Sequence, residues 1–332
     1  MKKNLVILTT VLIMLVSLFS MPVLADNSSD EIEIGVTVMT MRESVRHFMK
    51  TGAMKEAKKH GVEVTWQSGE NSLSTQMAQI ENYISQDIDV IVFEPARADG
   101  STALAARIEA SGKPWINVEQ PIPGGSPDLR ITADNYEIGK LQAETFVKKY
   151  GDKPAKIVIL SGSPGNSAAA NITQGVLDVL DNYSQYEVVL QREHQNWDRQ
   201  LAMNTMEDTL IEYDGEIDAV IANNDTMALG AMRAAINAGV EEDILFIGSD
   251  FDRESAELLL DGKENYFVVD RGSILQGHNI VKAAVALAKG EEPPYDVIDD
   301  EGRPFWKTAI TMVSKDNVVE MCGEKYPDLL SE

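Results

Sequence analysis

Nine short apolar runs, each followed by a stretch of helical period, constrain the fold of this 332-residue chain more than any other feature. The runs predict strands at 32–39, 62–67, 90–94, 115–119, 157–160, 187–190, 219–222, 244–248 and 267–269. Between them lie helical patterns, among them 72–85, 101–110, 138–149, 171–180, 199–213, 226–238, 253–260 and 274–289, with apolar residues returning at three- and four-residue steps, as at Met77, Ile80 and Ile84. Regular βα alternation argues a parallel sheet covered by helices on both faces. The middle of the chain is punctuated by QPIPGGSP, Gln120 to Pro127. That break, and a length large for one core, predict two such sheets, the first ending before Pro121 and the second beginning after Leu129.

The chain opens with Lys2 and Lys3, an apolar run from Leu5 to Phe19, and small or aliphatic residues at Val23 and Ala25. This pattern reads as a secretory signal peptide cleaved after Ala25, since the apolar run falls short of the ~20 residues that span a bilayer. The only cysteine is Cys322, so neither an internal disulfide nor a lipid-bearing cysteine in the leader is expected. A freely diffusing periplasmic protein is the expectation. The formal charge is -24, and such a surface repels phosphate backbones, which argues against nucleic acid as a partner.

The predicted strands end in polar groups. Arg42, Glu43 and Arg46 follow the first, Glu94 ends the third, and Glu119 and Gln120 end the fourth. In the second half the ends carry Asn166, Trp197 with Arg199, Asn224 with Asp225, Asp250, and Asp270 with Arg271. One polar residue per strand end is explained by helix capping, worth about 1 kcal/mol, and Asp225 is the natural cap of its helix. Arginine and glutamine are poor caps, and ligands bind at this edge of an open α/β sheet. Carboxylates, amides and guanidinium groups with one aromatic ring suit a small neutral polyol. Of the four histidines, His60 ends a helix and His278 sits inside one. No cluster has metal-ligand spacing, and neither GxGxxG, GxxxxGK[ST] nor GxSxG occurs, so no cofactor, no metal and no catalysis are expected.

Several blocks in order, STQMAQIENYISQDIDVIVFEP (74–95), ITADNYEIGKLQAE (131–144), ILSGSPGNSAAA (159–170), NWDRQLAMNTMEDTL (196–210), ANNDTMALGAMRA (222–234) and IGSDFD (247–252), resemble the periplasmic monosaccharide-binding proteins of ABC importers, of ribose/xylose type. The resemblance implies two doubly wound α/β lobes joined by a three-segment hinge, closing on a sugar. It places a short N-terminal segment at 26–31, a first lobe at 32–120 with about 271–303, a second at 121–270 with about 304–320, and a tail at 321–332. It implies ligand roles for Asn224 and Asp250, stacking for Trp197, a hinge carboxylate at Glu119 and a last-hinge residue at Asp270. Arg42, Arg46, Gln120, Asn166 and Asn171 complete the candidate set. Asn224 is expected to face the cleft while Asp225 caps the helix. Where ribose-type members carry two aromatics, this chain has Val45 and Arg46, and the usual Asp-Arg pair of the first hinge reads Glu119-Gln120. Arg42 is expected to be a buried donor, and with Arg46 to open the site to an acidic sugar. The expected partner is an ABC permease, with a chemoreceptor or sensor kinase as the alternative. A LacI-like repressor shares the fold but needs a DNA-binding segment where this chain has its leader.

Overall fold

The computed structural model describes residues 31–299 and 301–331. The leader 1–25 and nearly all of the segment 26–31 lie outside the described residues. From Ile32 onward the chain forms one compact unit built on two sheets.

The first sheet has the order β11-β12-β5-β4-β3-β1-β2. Its strands are β1 (Glu33–Val38), β2 (Glu63–Ser68), β3 (Val90–Phe93), β4 (Trp115–Val118), β5 (Leu129–Ala133), β11 (Val297–Ile298) and β12 (Pro304–Thr308). All its pairings are parallel except that of the edge strand β11. Helices α1 (Ser44–His60) and α9 (Ser273–Ala288) cover one face, where Met49, Ala53, Ile280 and Ala284 pack on Val36, Val92 and Ile116. The helices α2 (Leu73–Ser85) and α3 (Thr102–Ser111) cover the other, where Ile80, Tyr83 and Ile108 meet Ile91 and Phe93.

The second sheet has the order β13-β10-β9-β8-β6-β7, with β6 (Ala155–Ser161), β7 (Tyr186–Glu193), β8 (Ala219–Ala222), β9 (Leu245–Ser249), β10 (Tyr266–Asp270) and an antiparallel β13 (Thr311–Val313). One face carries α4 (Asn135–Tyr150) and α5 (Ser167–Leu180), and the other α6 (Arg199–Glu212), α7 (Asp225–Ala238), α8 (Arg253–Leu260) and α10 (Val318–Lys325). Fully apolar strands such as AVIA in β8 follow from burial on both faces.

The nine predicted strands are present, and the two-lobed, doubly wound architecture is as expected. The lobe boundaries differ. The chain leaves the first sheet after β5 rather than at Pro121, because Leu129, Ile131 and Ala133 are buried and β5 pairs with β4 and β12. Likewise β12 belongs to the first sheet, so the third crossing falls between Thr308 and Thr311 instead of near 303. The expected tail is in part the helix α10, whose Val318 and Cys322 are buried in the second lobe. Among the described residues no helix is long and apolar enough to cross a membrane, and no group of His, Cys, Asp or Glu could hold a metal ion.

Candidate functional site

The strands of both sheets point their C-terminal ends at a cavity of about 630 Å³ between the lobes. The first lobe lines it with the turn after β1, the start of α1, and Glu119 and Gln120 beyond β4. From the second lobe come Asn166, Trp197, Asn223 and Asn224, and Asp250 and Asp252, while Arg271 reaches in from the crossing after β10.

On the first lobe, Arg46 is buried at the third residue of α1, with its guanidinium between two carboxylates. Its Nε donates to Glu94 Oε1 at 3.0 Å, and its terminal nitrogens pair with Glu94 and Glu43. Burial works against the charge on Arg46, but the two carboxylates outweigh it and hold the guanidinium above its ordinary value. For Glu94, burial pushes the carboxyl up while Arg46 pulls it down; with two guanidinium nitrogens on it, the geometry supports the ionised pair. Arg42 is the opposite case. It lies before the helix on the lip of the cavity, its side chain is 79% exposed, and its nearest carboxylate, on Glu70, is 3.9 Å away. The expectation of a buried Arg42 is therefore reversed, because α1 begins at Ser44 and the two arginines do not share a helical face.

At the hinge, Glu119 adopts a left-handed backbone (φ 62°). It accepts from Arg271 at 3.0 Å and from Gln276 Nε2 at 2.9 Å. Burial alone would raise the Glu119 carboxyl, but Arg271 and Arg46 bring it below the usual range. Arg271 also lies 3.7 Å from Asp250. Asp250 has φ 100°. Burial pushes its carboxyl up to about 7, with Arg271 opposing.

On the second lobe, Asn166 caps α5 by accepting from Ala169 N at 3.1 Å while lining the cavity. Asn171 sits inside α5, exposed and away from the cavity, because the helix begins four residues earlier than its apolar period suggests. The ring of Trp197 lies against Gly162, where any Cβ would collide with the indole. Asn223 is buried and accepts from Gly162 N at 2.9 Å, and its Nδ2 has no protein partner.

Of the next two residues, Asn224 keeps its expected place at the cleft and also takes the cap expected of Asp225. Asn224 both lines the cavity and caps α7, accepting from Met227 N at 3.0 Å. Asp225 is fully buried beneath it, accepting from Tyr266 Oη at 3.0 Å and Asp252 N at 2.8 Å. Asp270 does not line the cavity; it pairs with Lys325 Nζ at 3.2 Å. Its neighbour Arg271 faces the site instead, and with Asn223, Glu43 and Asp252 is a lining residue absent from the candidate set. The dipeptide Asp270-Arg271 was visible at the strand end; side-chain alternation along β10 decides which member faces in.

The lobes touch around the cavity. Ser44 Oγ on α1 donates to Asp252, and the rings of Phe48 and Tyr326 meet edge to face at 5.2 Å.

A two-lobed α/β unit with a polar cavity between its sheet edges defines a class of small-solute receptors. The chain belongs to the periplasmic binding protein family: a family model described as a periplasmic binding protein domain matches residues 34–292. A xylitol-binding protein of Mycolicibacterium smegmatis is 30% identical over 293 residues, covering 88% of this chain and 79% of that protein. The ribose import binding protein of Bacillus subtilis is 29% identical over 262 residues, covering 79% and 83%. Among solved structures, an ABC transporter solute-binding protein of Bacillus halodurans with bound myo-inositol is similar with a TM-score of 0.75 and 27% identity, covering 89% of this chain and 98% of that one. The fold is the type I periplasmic binding protein fold, and the chain is a solute-binding protein.

Proposed function

We propose that this protein captures one neutral monosaccharide or polyol between its lobes and delivers it to the permease of an ABC importer. The observation that carries the reading is the cavity itself, lined from both lobes by carboxylate, amide and guanidinium groups with one indole face. Hydroxyl groups use donors and acceptors together, and an aromatic face covers the C–H side of a ring. The names of relatives that bind xylitol, import ribose or bind D-xylose support the class of ligand and the import role. A neutral ligand is favoured over an acidic one. Arg46 and Arg271 are each already engaged by carboxylates, and Arg42 stands on the cavity lip with most of its side chain in solvent.

The mechanism is closure: a ligand bridging the lobes shifts the open–closed equilibrium by its preference for the closed arrangement. The contacts Ser44–Asp252 and Phe48–Tyr326 would form only when the lobes meet. A chemoreceptor or sensor kinase would read the same closed form, and the import relatives favour the permease. The leader ends after Ala25 in this reading, so the exported protein starts at Asp26, which mass spectrometry of its N-terminus checks.

A thermal-shift screen with xylitol, ribose, D-xylose, myo-inositol, amino acids and short peptides tests the function. Stabilisation by a polyol or sugar is expected. Stabilisation only by an amino acid or peptide would overturn it.

A further inference from the structure

Asp250 and Phe251 are consecutive non-glycine residues with positive φ, 100° and 56°. Such conformations are strained for residues that carry a Cβ and persist only where the surroundings hold them. Here two consecutive residues at the end of α10 do so. Lys325 Nζ donates to the Asp250 carbonyl at 2.6 Å, and Tyr326 Oη donates to the Phe251 carbonyl at 2.9 Å.

Lys325 is an unusual residue to bury. Its side chain is 5% exposed, and its ammonium has three donors to satisfy. Two go to the Asp250 carbonyl and the Asp270 carboxylate. The charge also lies over the rings of Phe48 (4.8 Å), Phe251 (5.1 Å) and Tyr326 (6.0 Å), in cation–π range. Phe48 belongs to the first lobe and lines the cavity, so the box around the ammonium is completed across the cleft.

We propose that Lys325 and Tyr326 form a clamp that positions Asp250 for the ligand, making Lys325 a positioning residue of the site. The proposal rests on the binding reading above for its consequence in affinity, and on geometry alone for the turn it holds. Around the Asp250 carboxyl stand Arg271, Asp252, Lys325, Glu43 and, beneath, Asp225. Of these, Arg271 and Lys325 are the cations that pull its titration down from where burial would leave it.

The test compares Lys325→Met, Lys325→Arg and Tyr326→Phe with wild type, each checked for folding by circular dichroism. Two readouts need no ligand: the titration of the Asp250 carboxyl carbon by NMR, and the backbone coupling constants of Asp250 and Phe251, which report φ. Lys325→Met should change the Asp250 coupling constant and move its midpoint upward from about 7, and Lys325→Arg should restore most of both. Tyr326→Phe keeps the ammonium, so it should leave the midpoint in place while changing the coupling constant of Phe251. Calorimetry with xylitol or myo-inositol should show about tenfold weaker binding for Lys325→Met and a smaller loss for Tyr326→Phe. An unchanged Asp250 coupling constant in folded Lys325→Met overturns the clamp. If that variant does not fold, an unchanged Phe251 coupling in Tyr326→Phe does so. Failure of wild type to bind either polyol counts against the proposed function and leaves the clamp to be decided by the NMR readouts.

Discussion

The two lobes share a frame and differ at its edge. In the first, α9 crosses α1 through Gly277 and Gly52, where a Cβ on either would strike the carbonyl of Met49 or Ile274. In the second, α4 crosses α5 through Gly139 and Gly175 against the carbonyls of Ile172 and Tyr136. The positions correspond. Gly277 and Gly139 are each the fifth residue of their helix, and Gly52 and Gly175 each the ninth. The site edges, by contrast, have diverged. The first lobe presents Glu43, Arg46 and Glu119 with Glu94 behind; the second presents the amides Asn166, Asn223 and Asn224 and the indole of Trp197 beside the carboxyls of Asp250 and Asp252. Packing fixes the helix crossings, since backbones in contact admit no side chain. The strand ends lie beyond that constraint, so one lobe can bury an ion-paired arginine where the other carries three amides and an indole beside its carboxyls.

The sharpest way to break this comparison is to remove a carboxylate from the charged wall. Glu94→Ala leaves the buried Arg46 with Glu43 alone, and a loss of about 3 kcal/mol in denaturant unfolding is expected. Next come the crossings. Gly52→Val and Gly175→Val should each cost about 1–3 kcal/mol, the two lobes responding alike in melting temperature. A large effect in one lobe and none in the other would mean the crossings are not equivalent. The amide wall should be more forgiving. Asn166→Ala and Asn224→Ala each remove a cap worth about 1 kcal/mol, and Asn224→Ala should also weaken binding in calorimetry.

How far the sequence reveals this arrangement depends on how strongly each residue is dictated by burial. Strands buried on both faces, such as VIVF in β3, are plain as apolar runs. LRITA in β5, PFWKT in β12 and TMV in β13 are short or interrupted by polar residues, and their partners are far away in the chain, so they are silent until the fold is known. The site was legible as a set of strand ends and less so residue by residue. A shift of one position moves the cap from Asp225 to Asn224, and exchanges Asp270 for Arg271. The start of α1 at Ser44 decides which arginine is buried, and no residue before it marks that start, since Glu43 makes no side-chain cap.

The pH dependence separates the lobes further. Asp250 and Asp225 on the second lobe are both raised, by burial first. A carboxyl raised in the folded state contributes stability that is complete below its unfolded value and is lost as pH rises through the folded one, here about 7 for Asp250. Glu119 at the hinge is lowered and works the other way, losing its contribution as pH falls. Replacing Asp250 with Asn should therefore narrow the fall in melting temperature between about pH 5 and pH 8. The smallest effect belongs to Arg42→Ala. Exposed and unburdened by any close carboxylate, it should change stability by less than about 0.5 kcal/mol and leave the affinity near that of wild type.

Selection of a neutral ligand by guanidinium groups already paired with carboxylates is decided by calorimetric titration of the wild-type protein with a neutral sugar or polyol and with the acid derived from it. Saturable binding of one neutral ligand per chain and weaker binding of the acid are expected. Tighter binding of the acid, or saturation by neither, would contradict that selection.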